Sequence, residues 1–142
     1  MPTLLQKYAT LLVHYCLRVT PGDKVYIATT TLAEPLLREV YREALAAGAA
    51  LVEYDLSFRE RERLFLQNAS NDALNTLPPL QQLAMDSFDC YLAIRAPFNL
   101  REMQNAPGDP AKIRQEALQP INKAYFERTA DRRLRRNLCQ YP

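Results

Sequence analysis

The chain has one histidine, three cysteines and sixteen carboxylates with which to do chemistry, and their spacing decides what they can do. Metal catalysis needs several ligands converging on one point. His14 stands alone between Val13 and Tyr15, with neither a His-x-x-x-His nor a His-x-Asp partner, so it reads as structural or solvated. Asp55, Glu60 and Glu62 are interleaved with Arg59, Arg61 and Arg63, the pattern of a salt-bridged, solvated helix face rather than a carboxylate-only metal site. Cys16, Cys90 and Cys139 are odd in number and far apart, which argues against a disulfide framework or a zinc knuckle. No Gly-x-Ser-x-Gly elbow is present, and a Cys–His dyad would rest on His14 with no supporting pattern. Nothing here assembles a catalytic centre.

Two further features could bind rather than react. Thr29, Thr30 and Thr31 precede a helix and could hold an anion through their hydroxyls, although capping and turn hydrogen bonds are the preferred reading. The absence of glycine from Ala28 to Ala33 excludes a Rossmann dinucleotide loop. The run Arg132-Arg133-Leu134-Arg135-Arg136 reads as a solvated helix end or a surface that meets another domain. It lacks the interleaved aromatics of a single-strand nucleic-acid platform, and the net charge of +2 gives no global attraction to nucleic acid or anionic lipid.

The elements that position these residues follow from periodicity. Leu4, Leu5, Tyr8, Leu11, Leu12, Tyr15 and Val19 make one apolar face of an opening helix. Thr20-Pro21-Gly22-Asp23 is a turn, and Lys24 to Thr29 a strand. Thr31 and Glu34 have capping-box spacing, with Pro35 in the first turn. The helix that follows buries Leu37, Val40, Tyr41, Ala44 and Leu45 and stops at Gly48. Leu51 to Leu56 is the second strand, parallel to the first through that crossover. A charged helix anchored by Leu64 and Phe65 spans residues 57–70, a break falls at Asn71 to Pro79, and Leu80 to Met85 is a further helical turn or two. Cys90 to Ile94 is the third strand, with its exit at Pro97 and Asn99. Asp109 caps a helix running to about Ala130, bent at Pro120. Asn137 to Pro142 looks like the opening of another strand, cut short. The order predicts one α/β domain over residues 1–142, three-layer α/β/α, with a small, mostly parallel sheet of about four strands. No stretch approaches a membrane span and no secretory signal opens the chain, so a cytoplasmic setting is expected.

Several of these segments, in order, resemble the amino-terminal part of the aminopeptidase T, aminopeptidase S and PepS family of metallo-aminopeptidases. They are Tyr8-Ala9-Thr10-Leu11-Leu12-Val13, Thr20-Pro21-Gly22-Asp23-Lys24-Val25, and Glu43-Ala44-Leu45-Ala46-Ala47-Gly48-Ala49. Ile94 to Leu100, Asp109-Pro110-Ala111-Lys112 and the closing Gln140-Tyr141-Pro142 continue the similarity over nearly the whole chain. Departures are small: Phe98 before the asparagine, and a crowded Leu100 to Met103. The resemblance implies a parent enzyme that removes amino-terminal residues from peptides with two divalent metal ions, zinc or cobalt. It implies that the ligands lie in a carboxy-terminal catalytic domain beyond residue 142, and that the parent is a homodimer enclosing a chamber. No catalytic or metal residue is carried over to this chain, and no cofactor is expected in it. Arg95 and Asn99, with Arg132 and Arg133, are the candidate contacts to substrate chamber or catalytic domain. The alternative is a standalone, non-catalytic interaction module on the same fold.

Overall fold

In the computed structural model, which describes residues 1–104 and 106–142, β1 (Lys24–Thr30), β2 (Leu51–Ser57), β3 (Cys90–Arg95) and β4 (Arg135–Gln140) form one sheet in the order β2-β1-β3-β4. Every pair is parallel. Parallel neighbours need crossover connections, and right-handed crossovers place helices on opposite faces when the strand order reverses. The chain does this at β1: α2 (Glu34–Ala46) joins β1 to β2 and packs against α1 (Leu4–Leu11) on one face. Return from β2 to β3 runs through α3 (Arg61–Asn68), α4 (Asn71–Asn75) and α5 (Pro79–Ser87). Then α6 (Gly108–Ala117) and α7 (Gln119–Ala130) lead to β4, and α5 and α7 cover the other face. The three-layer, parallel, four-stranded expectation is what the molecule shows.

The two faces differ. Under α1 and α2, Val25, Ile27, Leu92 and Cys90 meet Leu12, Val13, Leu17, Leu36 and Val40, all of them at 2% exposure or less. Burying such side chains is worth about 1.5–3 kcal/mol each, so this layer carries most of the packing. Under α5 and α7 a smaller cluster gathers Tyr26, Ala84, Met85, Phe88, Ile121 and Leu134.

Several local expectations need correction. The buried face of the first helix is Leu5, Tyr8, Ala9, Leu12, Val13, Cys16 and Leu17, whereas Leu4, Leu11 and Tyr15 point to solvent. The stripe lies one position away from the expected one, and the helix ends in a widened π turn, Leu12–Cys16, instead of continuing to Val19. Its amino terminus has a capping box in which Thr3 and Gln6 satisfy each other's backbone N–H groups. The expected Thr31–Glu34 box does not form: a 3-10 turn, Thr31–Ala33, leads into α2 and Ala33 caps it without a side-chain bond. Tyr41 and Leu45 lie outside the buried stripe, replaced by Leu36. The charged helix starts only at Arg61 and buries Leu66, with Leu64 exposed. The break at Asn71 contains α4, started by the Ser70 hydroxyl. Pro107, not Asp109, is the cap of α6; Asp109 sits in the first turn, where a carboxylate still suits the helix dipole. A turn residue, Leu118, separates α6 from α7, and Pro120 occupies the first turn of α7.

Candidate functional site

The sheet face under α5 and α7 is built on a short repeat. Tyr26-Ile27-Ala28 in β1 and Tyr91-Leu92-Ala93 in β3 place the same types on the same face, because side chains alternate along a strand. Pairing brings Tyr26 beside Tyr91 and Ala28 beside Ala93. The tyrosines support the helices. The alanines, one step nearer the carboxyl ends of the strands, leave a hollow of about 420 Å³. Asp55 of β2 closes one end of it, Arg136 and Leu138 of β4 the other, and Gln81, Asn122 and Tyr125 reach in from α5 and α7.

An aromatic ladder forms the wall. Tyr26 and Tyr91 lie 5.9 Å apart between ring centres, Tyr91 and Tyr125 5.9 Å apart and edge-on, and Tyr26 packs edge-on against Phe88 at 6.0 Å. The Arg136 guanidinium sits 5.9 Å from the Tyr125 ring centre. Burial pushes the Tyr26 phenol up to about 12, with the nearby Asp55 charge adding to the effect. Tyr91 is raised too, through burial first, then Tyr125 and Asp55. At neutral pH these phenols are therefore protonated, neutral donor–acceptor groups and not bases.

Asp55 also borders two neighbouring hollows, one beneath Pro78 to Ala84 and one beside α3, and Gln81 lines all three. The concavity is thus a groove running along the flank of the sheet. Both Asp55 oxygens accept hydrogen bonds from Arg61 Nη1 at 2.9 Å, so this carboxylate is held by a single cation. At the carboxyl end of the strands, Arg59 lies 4.8 Å from the Phe98 ring centre, so the exits of β2 and β3 meet above β1.

The crevice between β1 and β3, where open α/β sheets usually bind ligands, is closed. Thr29 Oγ1 donates to the Ile94 carbonyl at 2.9 Å and Thr30 Oγ1 to the Ala96 carbonyl at 2.5 Å. These two hydroxyls serve carbonyls of β3 and its exit, long-range bonds in place of the expected capping and turn bonds.

Arg95 ends β3 and is exposed, while Asn99 uses its side-chain oxygen to accept the Arg101 N–H at 2.9 Å. Arg132 and Arg133 stand at the opposite end of the sheet, just before β4. The six-residue strand alone puts more than about 17 Å between the two groups along the sheet. The structure does not bring the four residues into one site. The basic run is also not a helix end: α7 stops at Ala130, Leu134 is buried, and Arg135 and Arg136 begin β4. Arg133 is occupied by Asp131 at 2.8 Å, and Arg135 by Asp23. His14 lies on the α1 side, with Nε2 2.7 Å from Glu43 Oε1. Among the described residues no three of His, Cys, Asp and Glu come together in a metal-holding group. The repeated Tyr-x-Ala was the signal that could have located the groove in the sequence.

A family model described as thermophilic metalloprotease (M29) matches residues 2–142. The chain belongs to this family. The M29 family is the one its motifs resemble, that of aminopeptidases T and S. Its fold is shared with wild-type AmpT from Thermus thermophilus, at a TM-score of 0.78 and 19% identity over 97% of this chain. The match covers 36% of the AmpT chain, so this M29 chain spans about a third of that protein's length. The crystal structure of CurK enoyl reductase aligns with a TM-score of 0.36 at 13% identity over 97% of this chain and 60% of its own, too low to carry an argument. No curated protein matches the sequence significantly. No helix among the described residues is long and apolar enough to cross a membrane.

Proposed function

We propose that this M29 chain is the amino-terminal domain of a metal-dependent aminopeptidase and contributes a wall of the substrate chamber rather than the bond-breaking groups. The observation that carries this reading is the family match over residues 2–142 on a fold that accounts for 36% of AmpT. The groove agrees with it: ring faces and neutral phenols suit an extended peptide, whose backbone and apolar side chains need a dry wall with a few directed polar groups. Asp55, paired with Arg61, gives that wall a fixed carboxylate whose remaining lone pairs can accept from peptide N–H groups. Two divalent ions, zinc or cobalt, would activate the water that attacks the peptide bond, held by a carboxy-terminal catalytic domain. The parent is a cytoplasmic homodimer in this reading, and the groove residues bind, orient and exclude water.

The test uses the 142-residue chain with added zinc or cobalt and a leucyl chromogenic substrate. The expected result is no hydrolysis and no stoichiometric metal after dialysis. Turnover accompanied by two retained ions per chain would overturn the proposal.

A further inference from the structure

Beside the groove, on the β4 flank, lies a second concavity of about 660 Å³ with a different chemistry. It is floored by Leu134, Arg135 and Arg136, walled on one side by Tyr15, Cys16 and Arg18, and on the other by the last turn of α7 with Phe126, followed by Arg132. Four of its lining residues are arginines and none is an acid. Arg135 is neutralised from below by Asp23. Arg18, Arg132 and Arg136 have no carboxylate partner among the described residues, and the nearest acid in sequence, Asp131, is taken by Arg133. Three guanidiniums held around one hollow repel one another unless an anion joins them. Two of them are set there by an unusual backbone: φ is 53° at Arg18 and 64° at Arg132, the left-handed region that non-glycine residues rarely occupy. The rim carries two large, exposed aromatic rings, Tyr15 at 74% and Phe126 at 65% exposure, the latter edge-on to Tyr125 at 5.2 Å.

From this placement we infer that the pocket binds an acidic peptide segment, its carboxylates forked by Arg18, Arg132 and Arg136 and an adjacent apolar or aromatic side chain seated between Tyr15 and Phe126. Guanidinium forks match planar carboxylates in pairs, and rings flanking them anchor the neighbouring residue. A compact hollow fits a few residues, not a nucleic-acid track, and the chain's near-neutral charge supplies no long-range pull on a polyanion. Arg136 lines both this pocket and the sheet-face groove, so a peptide lying in the groove has its acidic portion within reach here. Choosing peptide over nucleotide rests on the peptidase reading, but the readout is binding rather than hydrolysis, so the two can fail separately.

The experiment measures fluorescence anisotropy of a labelled Glu-Asp-Phe-Glu peptide with the 142-residue chain at low salt. Parallel arms use its Gln-Asn-Phe-Gln counterpart, a short single-stranded RNA, and inorganic phosphate as competitor. Saturable binding of the acidic peptide is expected, at least tenfold tighter than its amide counterpart and weakening with salt. The double change Arg132→Gln, Arg136→Gln should lower affinity at least tenfold, with circular dichroism unchanged because both side chains are exposed. Arg38→Gln, on α2 and remote from the pocket, should leave binding intact. Each of four results would overturn the inference: no binding of the acidic peptide, equal binding of the amide peptide, indifference to the double change, or tighter binding of the RNA. Full displacement by phosphate at concentrations comparable to the peptide would also overturn it, by reducing the site to a bare anion hole.

Discussion

Raising the pH should weaken this fold through two buried acids, and the size of the effect can be worked out. The Tyr26 phenol, 8% exposed, is pushed up to about 12 by burial and by Asp55. The Cys90 thiol, fully buried, is pushed up to about 11 by burial, with the Arg135 guanidinium opposing the rise. In both cases the folded state favours the protonated form. Below the unfolded values, near 10 for tyrosine and 9 for cysteine, both states carry the proton and stability is full. Above them the unfolded chain ionises first, and stability falls until the folded values are passed. Two pH units at about 1.36 kcal/mol each give a loss of roughly 2.7 kcal/mol per group, against a total of about 5–15 kcal/mol for a typical domain. Urea unfolding followed by circular dichroism should therefore show a midpoint that declines steadily between pH 9 and 12. The chain has eight tyrosines and no tryptophan, so tyrosinate absorbance can be followed in parallel without overlap. Tyr26→Phe should remove the late-titrating component and flatten the decline between pH 10 and 12 by about 2–3 kcal/mol. If that variant keeps the parent's slope, or loses an early component instead, the account of the groove as lined by protonated phenols is wrong.

Three further outcomes follow from named contacts. Gly48→Ala should cost more than Gly22→Ala in urea unfolding: both have positive φ, but a Cβ at residue 48 would lie 2.9 Å from Pro21 Cα, and one at residue 22 meets nothing within 4 Å. Leu36→Ala, at a fully buried position of α2, should destabilise by about 3–4 kcal/mol, read as a shift in the urea midpoint at constant slope. Arg61→Ala breaks an ion pair whose partners are 40% and 33% exposed, so its cost should stay within about 1 kcal/mol.

Punctuation and alternation were legible from residue types alone. Pro21-Gly22 and Gly48 marked real turns, and the β-rich runs at 24–29, 51–56 and 90–94 became neighbouring strands, each one residue longer, because each is bounded by turn residues and rich in β-formers. Helix faces were less legible. In α1 two overlapping stripes satisfy the three-four spacing, and only packing against β1 and α2 decides that Ala9, Val13 and Leu17 win over Leu4, Leu11 and Tyr15. The end of the chain was half legible: a strand was visible at residue 137, but Arg135 and Arg136 looked like helix because charge hides strand alternation. As for the groove, its hollow depends on Ala28 and Ala93 being paired across two strands sixty-five residues apart, which no single segment reveals. Tyr15 and Phe126, which complete the arginine pocket, come from opposite ends of the chain and meet only through tertiary structure.

The last strand is tied back to the first helix and to its neighbour: the Tyr8 hydroxyl donates to the Gln140 carbonyl at 3.2 Å, and the Tyr141 N–H to the Arg95 carbonyl at 2.9 Å. On the ribosome, Tyr8 emerges 132 residues before its acceptor, a delay on the order of ten seconds at ordinary elongation rates. From the emergence of β3 until β4 follows, the flank of β3 is bare and the helix lacks this latch. A nascent chain paused before Arg135 therefore offers an open strand edge to any passing polypeptide until β4 arrives to cover it.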